Sequence, residues 1–165
     1  MKTRYTIPHK GLKEGTHRFE WRVGDGFWKE HPDGGIIGGE VDVVAVLERG
    51  ATGVVRLEVE ITGRVTVPCD RCLEDCELPV RYNGRLAVKV SEENHPFDGD
   101  ILWLNPGDAA IDLEQYIYES VVLALPLQRV HPEDVHGQPL CNPAMLERFR
   151  IVSEDEFNNM TINNT

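Results

Sequence analysis

The sequence predicts one domain of the α+β class, in which a mainly antiparallel sheet or a partly closed barrel carries one or two helices from the C-terminal third. Two patterns lead to this prediction. Apolar residues alternate with period two between Val41 and Val90, and helical spacing begins only after Asp108. The chain has 165 residues, of which 41% are hydrophobic and 27% are charged. It is therefore long enough to bury a core and too apolar to be wholly disordered.

The alternating region divides into several strands. The clearest run places Val55, Leu57, Val59 and Ile61 on one face and Arg56, Glu58, Glu60 and Thr62 on the other. An earlier run from Val41 to Leu47 is joined to it by a short segment with two glycines, residues 49–53, which predicts a hairpin. Gly63 predicts a bend or bulge, the alternation continues from residue 78 to residue 90, and residues 19–23 predict another strand.

Helix signals are confined to the last third of the chain. Asp112 is placed as an N-cap with Gln115 at the third helical position, and Pro126 ends the helix. A short second helix is expected from Pro143 to Phe149. The domain should span residues 1–150, and the acidic, Asn-rich residues 151–165 should form a disordered tail.

Charge is distributed unevenly along the chain. The net charge is −11, and residues 90–165 carry three basic against fourteen acidic side chains, whereas residues 1–35 carry seven basic against five acidic ones. This balance argues against coating nucleic acid by phosphate neutralisation and suits a basic protein partner or a solvated surface. The first fifteen residues lack an apolar signal region, and the longest apolar stretch, Val121 to Leu127, is too short to span a bilayer. A cytoplasmic location with reduced cysteines is expected.

The cysteines suggest two alternative chemistries. Cys69 and Cys72 form a Cys-x-x-Cys pair at the end of a strand, and Cys141 with Cys76, His131 or His136 could complete a tetrahedral zinc site. The alternative is a thiol-redox pair, although both flanks are strand-like and four acidic side chains crowd the turn, so an activated thiolate is not evident.

Three stretches in order carry a resemblance to a known family: Gly11 to Gly15, then Val67 to Leu73 with its Cys-x-x-Cys-Leu element, then Ile111 to Pro126 ending in Leu-Ala-Leu-Pro. Together they resemble the YceD family over about residues 1–150. The resemblance implies a role in the accumulation of large-subunit ribosomal RNA and supplies no catalytic residue. Many members carry a second cysteine pair near the C-terminus, where this chain keeps only Cys141.

We therefore expect no enzyme activity, no catalytic residue and no cofactor, with a zinc ion held by Cys69, Cys72 and Cys141 as the alternative. No Gly-x-Ser-x-Gly, His-Glu-x-x-His or phosphate-binding glycine loop is present in the sequence. The expected partner is a ribosomal protein or a large-subunit RNA precursor. Arg64, Arg71 and Arg81 are the candidate partner-binding residues, through a modest basic patch that cross-strand acidic residues could equally neutralise.

Overall fold

A long antiparallel sheet organises the molecule. The computed structural model describes residues 4–93, 95 and 99–148. The strands are β1 (Thr6–Pro8), β2 (Gly15–Val23), β3 (Gly38–Arg49), β4 (Val55–Pro68), β5 (Asp75–Val90), β6 (Ile101–Leu104) and β7 (Ala110–Asp112); the helices are α1 (Asp25–Glu30), α2 (Glu114–Ala124) and α3 (Pro143–Arg148), with a 3₁₀ turn at Pro32–Gly34. The α+β prediction is confirmed.

The main sheet has the order β2-β3-β4-β5-β6, and β1 pairs with β7 in a separate ribbon. Strands β2 to β5 are antiparallel neighbours, whereas β6 runs parallel to the end of β5. Because β2 and β6 are different edge strands, the sheet is open, and the barrel alternative is wrong. The parallel strand β6 and the β1–β7 ribbon were not predicted, because three or four residues are too few to show alternation.

Period-two patterning explains the core. Cross-strand neighbours such as Val43 and Ile61, or Leu47 and Leu57, are fully buried, while the residues between them are exposed or partly exposed. Helix α1 adds its Phe27 and Trp28 side chains to the same buried cluster, and α2 adds its apolar face. The sheet therefore has one face in the core and an outer face that meets water.

Gly63 is neither a bulge nor a strand end. The pairing continues one residue to one residue through Gly63, opposite Val41 on β3 and Val80 on β5. A Cβ atom at this position would lie 2.3 Å from the carbonyl oxygen of Glu40. Glycine is thus required here for the close approach of two backbones, and the bulge that the sequence suggested is absent.

The helix boundaries differ slightly from the prediction. Helix α2 begins at Glu114 with Leu113 as its N-cap residue, and Asp112, the last residue of β7, accepts a hydrogen bond from the Glu114 backbone N–H at 2.9 Å. Gln115 donates to Glu119 instead of completing a capping box. Helix α3 matches its prediction as far as Arg148; Phe149 and the tail predicted at 151–165 lie outside the described residues. No helix in the described ranges is long and apolar enough to cross a membrane.

Candidate metal centre

A tight turn between β4 and β5 carries the Cys-x-x-Cys pair. We call residues 69–74 the cysteine turn. The backbone N–H of Cys69 donates to the Glu74 carbonyl at 2.8 Å, and the N–H of Leu73 donates to the Cys69 carbonyl at 2.9 Å. Leu73 adopts a left-handed conformation, with φ of 66°, which reverses the chain directly after Cys72. Both cysteines are fully buried, so the turn directs its thiols inward.

The segment between α2 and α3 lies against this turn. We call residues 125–142 the C-terminal loop. Asp70 and Arg129 connect the two segments reciprocally: the Asp70 N–H donates to the Arg129 carbonyl, and the Arg129 N–H donates to the Asp70 carboxylate, each at 2.7 Å. A third bond, from the Asn142 side-chain amide to the Glu74 carboxylate, also spans 2.7 Å. These contacts place residues of the C-terminal loop directly over the Cys-x-x-Cys pair.

Four potential ligands meet where the two segments touch: Cys69, Cys72, His131 and Cys141, whose ligand atoms all lie within 4.8 Å of one another. The Sγ atoms of Cys69 and Cys141 are 3.6 Å apart, and Cys72 Sγ lies 3.4 Å from His131 Nδ1. In a tetrahedron with zinc–sulfur bonds of ~2.3 Å and zinc–nitrogen bonds of ~2.0 Å, these edges measure ~3.8 Å and ~3.5 Å. The donor set and its spacing therefore fit zinc.

His131 is oriented for coordination by its other ring nitrogen. Nε2 lies 3.0 Å from the backbone carbonyl of Asp75, which can only accept a hydrogen bond. Nε2 must then carry the proton, and the lone pair of Nδ1 faces the thiols. A backbone carbonyl in this position is a frequent outer partner of metal-bound histidine, since it fixes both the ring orientation and the tautomer.

The local environment favours a thiolate at one cysteine and a thiol at another. Burial opposes ionisation of Cys69, but backbone N–H groups of Cys72, His131 and Arg71 hydrogen-bond to its sulfur and lower the pKa of Cys69 to about 6. Burial, followed by the neighbouring cysteines, raises the pKa of Cys141 to about 11. A cation beside these sulfurs would offset the repulsion that contributes to the raised pKa of Cys141, which agrees with the geometry of a metal site.

The remaining sequence candidates lie elsewhere or play other parts. Cys76 is buried near the start of β5, where burial and the Cys69 and Cys72 sulfurs raise its pKa, and it is not one of the four clustered residues. His136 is exposed in the C-terminal loop. All four cysteines are free.

The three candidate partner-binding arginines are divided between two surfaces. Arg71, half-buried in the cysteine turn, donates from Nη2 to the His131 carbonyl at 3.2 Å, and its buried Nε has no hydrogen-bond partner among the described residues. Arg64 and Arg81 lie on the outer face of the sheet. Arg64 is 3.8 Å from Glu77, whereas Arg81 forms no ion pair within the described part of the chain. The cross-strand pairing considered from the sequence is thus present for one of the two.

A comparison with protein-family models matches residues 57–149 to the family described as "Large ribosomal RNA subunit accumulation protein YceD". The chain belongs to the YceD family. The matched stretch contains all but the first two residues of β4, together with β5, the cysteine turn, α2 and the C-terminal loop, and hence all four clustered residues. The Gly11 to Gly15 element of the resemblance lies outside it. Neither a comparison with curated proteins nor one with solved structures gives a match.

Three of the clustered residues, Cys69, Cys72 and Cys141, were predicted from the sequence, and the fourth was left open among Cys76, His131 and His136. A local signal separates Cys76 from the two histidines, and the path of the C-terminal loop decides between His131 and His136. Cys76 falls at an inward-facing position of the next strand, whereas His131 follows a proline-ended helix and precedes Pro132, in a loop free to return to the turn. The interlocking hydrogen bonds of Asp70, Glu74 and Asn142 have no sequence signature.

Proposed function

We propose that this YceD-family protein is a non-catalytic factor that supports the accumulation of large-subunit ribosomal RNA by binding a ribosomal protein or a precursor RNA in the cytoplasm. The family match carries the proposal, because it spans residues 57–149 and includes both segments that form the candidate metal centre. The region that carries the family's signature therefore also contains the candidate metal centre.

The candidate metal centre would serve this function as a structural zinc site, with Cys69, Cys72, His131 and Cys141 holding the ion. Zinc would supply a rigid tetrahedral junction between a turn of the sheet and the loop after α2. Four protein ligands complete the usual coordination of a structural site and leave no position for a substrate or a reactive water. Three of the four side chains are buried, which also favours a structural role.

A non-catalytic role is supported by the position of the cavities. A cavity of about 510 Å³ lies on the outer face of the sheet beside β2 to β5, at the end opposite the cysteine turn. Its polar side chains include Arg56, Arg85, Glu48 and Glu58. These residues alternate in sign across neighbouring strands, as is usual for a solvated sheet face. A thiol-redox role is disfavoured because the Cys-x-x-Cys turn joins two antiparallel strands and does not begin a helix.

The function can be tested in the organism that encodes the protein. Depletion should lower the ratio of large-subunit to small-subunit ribosomal RNA, and re-expression of the wild-type chain should restore it. Cys141→Ala should restore the ratio incompletely, because it removes a candidate ligand. Cys76→Ala is the matched control, since it removes an equally buried cysteine that is not clustered with the others, and it should restore the ratio as the wild type does.

An unchanged RNA ratio after depletion, at both slow and fast growth, would show that the proposed function is wrong. Full restoration by Cys141→Ala would leave the RNA function in place and refute the part assigned to the metal centre.

A further inference from the structure

The end of the molecule at the candidate metal centre exposes large apolar side chains on the same segments that hold the four clustered residues. Leu73 lies next to Cys72 and is 57% exposed, and Leu140 lies next to Cys141 and is 55% exposed. Leu127 and Val135, also in the C-terminal loop, are almost wholly exposed. Half of the most exposed large apolar residues in the described part of the chain therefore lie on these two short segments.

Isolated exposed apolar side chains are common on protein surfaces, but these four lie on two segments that are hydrogen-bonded to each other. The cysteine turn and the C-terminal loop are joined by the Asp70–Arg129 and Glu74–Asn142 hydrogen bonds, and the clustered ligand atoms lie between them. Within the C-terminal loop, a pairing of Glu133 with Pro139 fixes the small hairpin that bears Val135 at its tip. The apolar side chains are thus carried by a braced surface, which lowers the entropy lost on binding.

Exposed acidic side chains lie on the same two segments or next to them in the chain. Asp70, Glu74, Asp75, Glu133 and Asp134 are all exposed on or directly beside the two segments. The two arginines there, Arg71 and Arg129, are half-buried and direct guanidinium nitrogens to the backbone carbonyls of His131 and Gly34. A zinc ion with three thiolates would add a further net charge of −1. The surface therefore presents negative charge and aliphatic groups together.

We propose that the exposed surface of the cysteine turn and the C-terminal loop, which carries Leu73, Leu127, Val135 and Leu140 together with the acidic side chains, binds a basic protein segment in which lysine or arginine residues are interspersed with aliphatic side chains. The proposal rests on the proposed function and names the kind of partner through which it acts. An RNA backbone is disfavoured as the occupant, since phosphates would meet five exposed carboxylates. A basic protein segment would gain both charge complementarity and burial of apolar side chains.

The test uses the purified full chain and, as probes, RNA-free proteins extracted from purified large ribosomal subunits, with the naked large-subunit RNA as a separate arm. The proteins that bind are identified by mass spectrometry, and the strongest is purified for affinity measurements. At least one basic protein should bind, with an affinity that weakens as salt rises. Binding should be stronger than that of the naked RNA at the same salt concentration.

Variants then locate the surface. Leu73→Gly removes an exposed side chain at a left-handed position that glycine adopts readily, so the turn should keep its conformation. Leu73→Gly combined with Leu140→Ser should weaken binding about tenfold or more, in the range expected for loss of apolar anchors at an interface. Glu133→Lys with Asp134→Lys should also weaken it. Val54→Ser is the matched control, because Val54 is 53% exposed beside the hairpin at the opposite end of β4 and should have no effect.

Absence of binding by any of the large-subunit proteins would overturn the proposal, as would stronger binding of the naked RNA or equal affinities for the surface variants and the control. Each of these results could coexist with a lowered RNA ratio on depletion. The failure of this surface is therefore distinguishable from the failure of the proposed function.

Discussion

Zinc binding at the candidate metal centre should raise the stability of the folded chain measurably without being essential for the sheet. A ligand that binds only the folded state stabilises it by RT ln(1 + [L]/Kd), which is about 2.7 kcal/mol at a free zinc concentration one hundred times Kd. For a domain of this size, each kcal/mol shifts Tm by about 2–4 °C. Zinc should therefore raise Tm by about 5–11 °C.

Stabilisation by zinc should be confined to the contact between the cysteine turn and the C-terminal loop. The buried cross-strand pairs of β3, β4 and β5 do not involve the clustered ligands, whereas the C-terminal loop is held on the cysteine turn mainly by hydrogen bonds between exposed or half-buried residues. After removal of zinc by a chelator, hydrogen exchange should accelerate at the amides of Cys69, Asp70 and Arg129. The amides at the centre of β4 should stay protected.

A pair of cysteine variants provides the control. Cys141→Ala and Cys76→Ala each remove a buried sulfur and should each cost about 1 kcal/mol in the absence of zinc, through the small cavity that remains. Added zinc should raise the Tm of Cys76→Ala as it does for the wild type and leave that of Cys141→Ala nearly unchanged. Equal responses of the two variants, or no response of the wild type, would refute the assignment of the four ligands.

Two further predictions concern the scaffold that positions the site. In denaturant titration, Gly63→Ala should lower the free energy of unfolding by more than about 3 kcal/mol, because the added Cβ would overlap the backbone of β3. Gly53→Ala is the control and should lower it by roughly 1–2 kcal/mol, because Gly53 has a φ of 80° but lies in open space. Similar losses for the two variants would contradict the close approach of the backbones at Gly63. The hydroxyls of Tyr82 and Tyr116 are 2.8 Å apart, so Tyr82→Phe and Tyr116→Phe should each cost about 1 kcal/mol, with a coupling of at least about 0.5 kcal/mol in a double-mutant cycle. Strict additivity would show that the bond contributes nothing.

Much of the sheet could be predicted from the sequence, because β3, β4 and β5 are long and have one buried face. In those strands the alternation of apolar and polar residues follows directly from the pleat. Strand β6 shows no such alternation, since Ile101, Leu102 and Trp103 are all half-buried at the sheet edge. Helix α1 has only six residues and one side of buried aromatic side chains, which is too short for a helical period to be recognised.

The candidate site could be predicted only in part, because one of its two segments is positioned by contacts that leave no pattern in the sequence. The spacing of Cys69 and Cys72 is set by one local turn and is visible in the sequence, but the choice of His131 depends on the path of the C-terminal loop back to that turn. That path is fixed by Asp70, Arg129 and Asn142 through backbone and side-chain hydrogen bonds that have no periodic pattern. The sequence left the fourth residue open, whereas the structure places the His131 imidazole beside the three thiols.

X-ray absorption at the zinc edge, recorded on the full chain as purified without added metal, shows whether the four clustered residues hold zinc. We predict one zinc ion per chain, with about three sulfur neighbours at ~2.3 Å and one nitrogen neighbour at ~2.0 Å, and loss of one sulfur neighbour or of the metal in Cys141→Ala. A chain purified with far less than one zinc, or with zinc surrounded only by oxygen and nitrogen, would contradict this prediction.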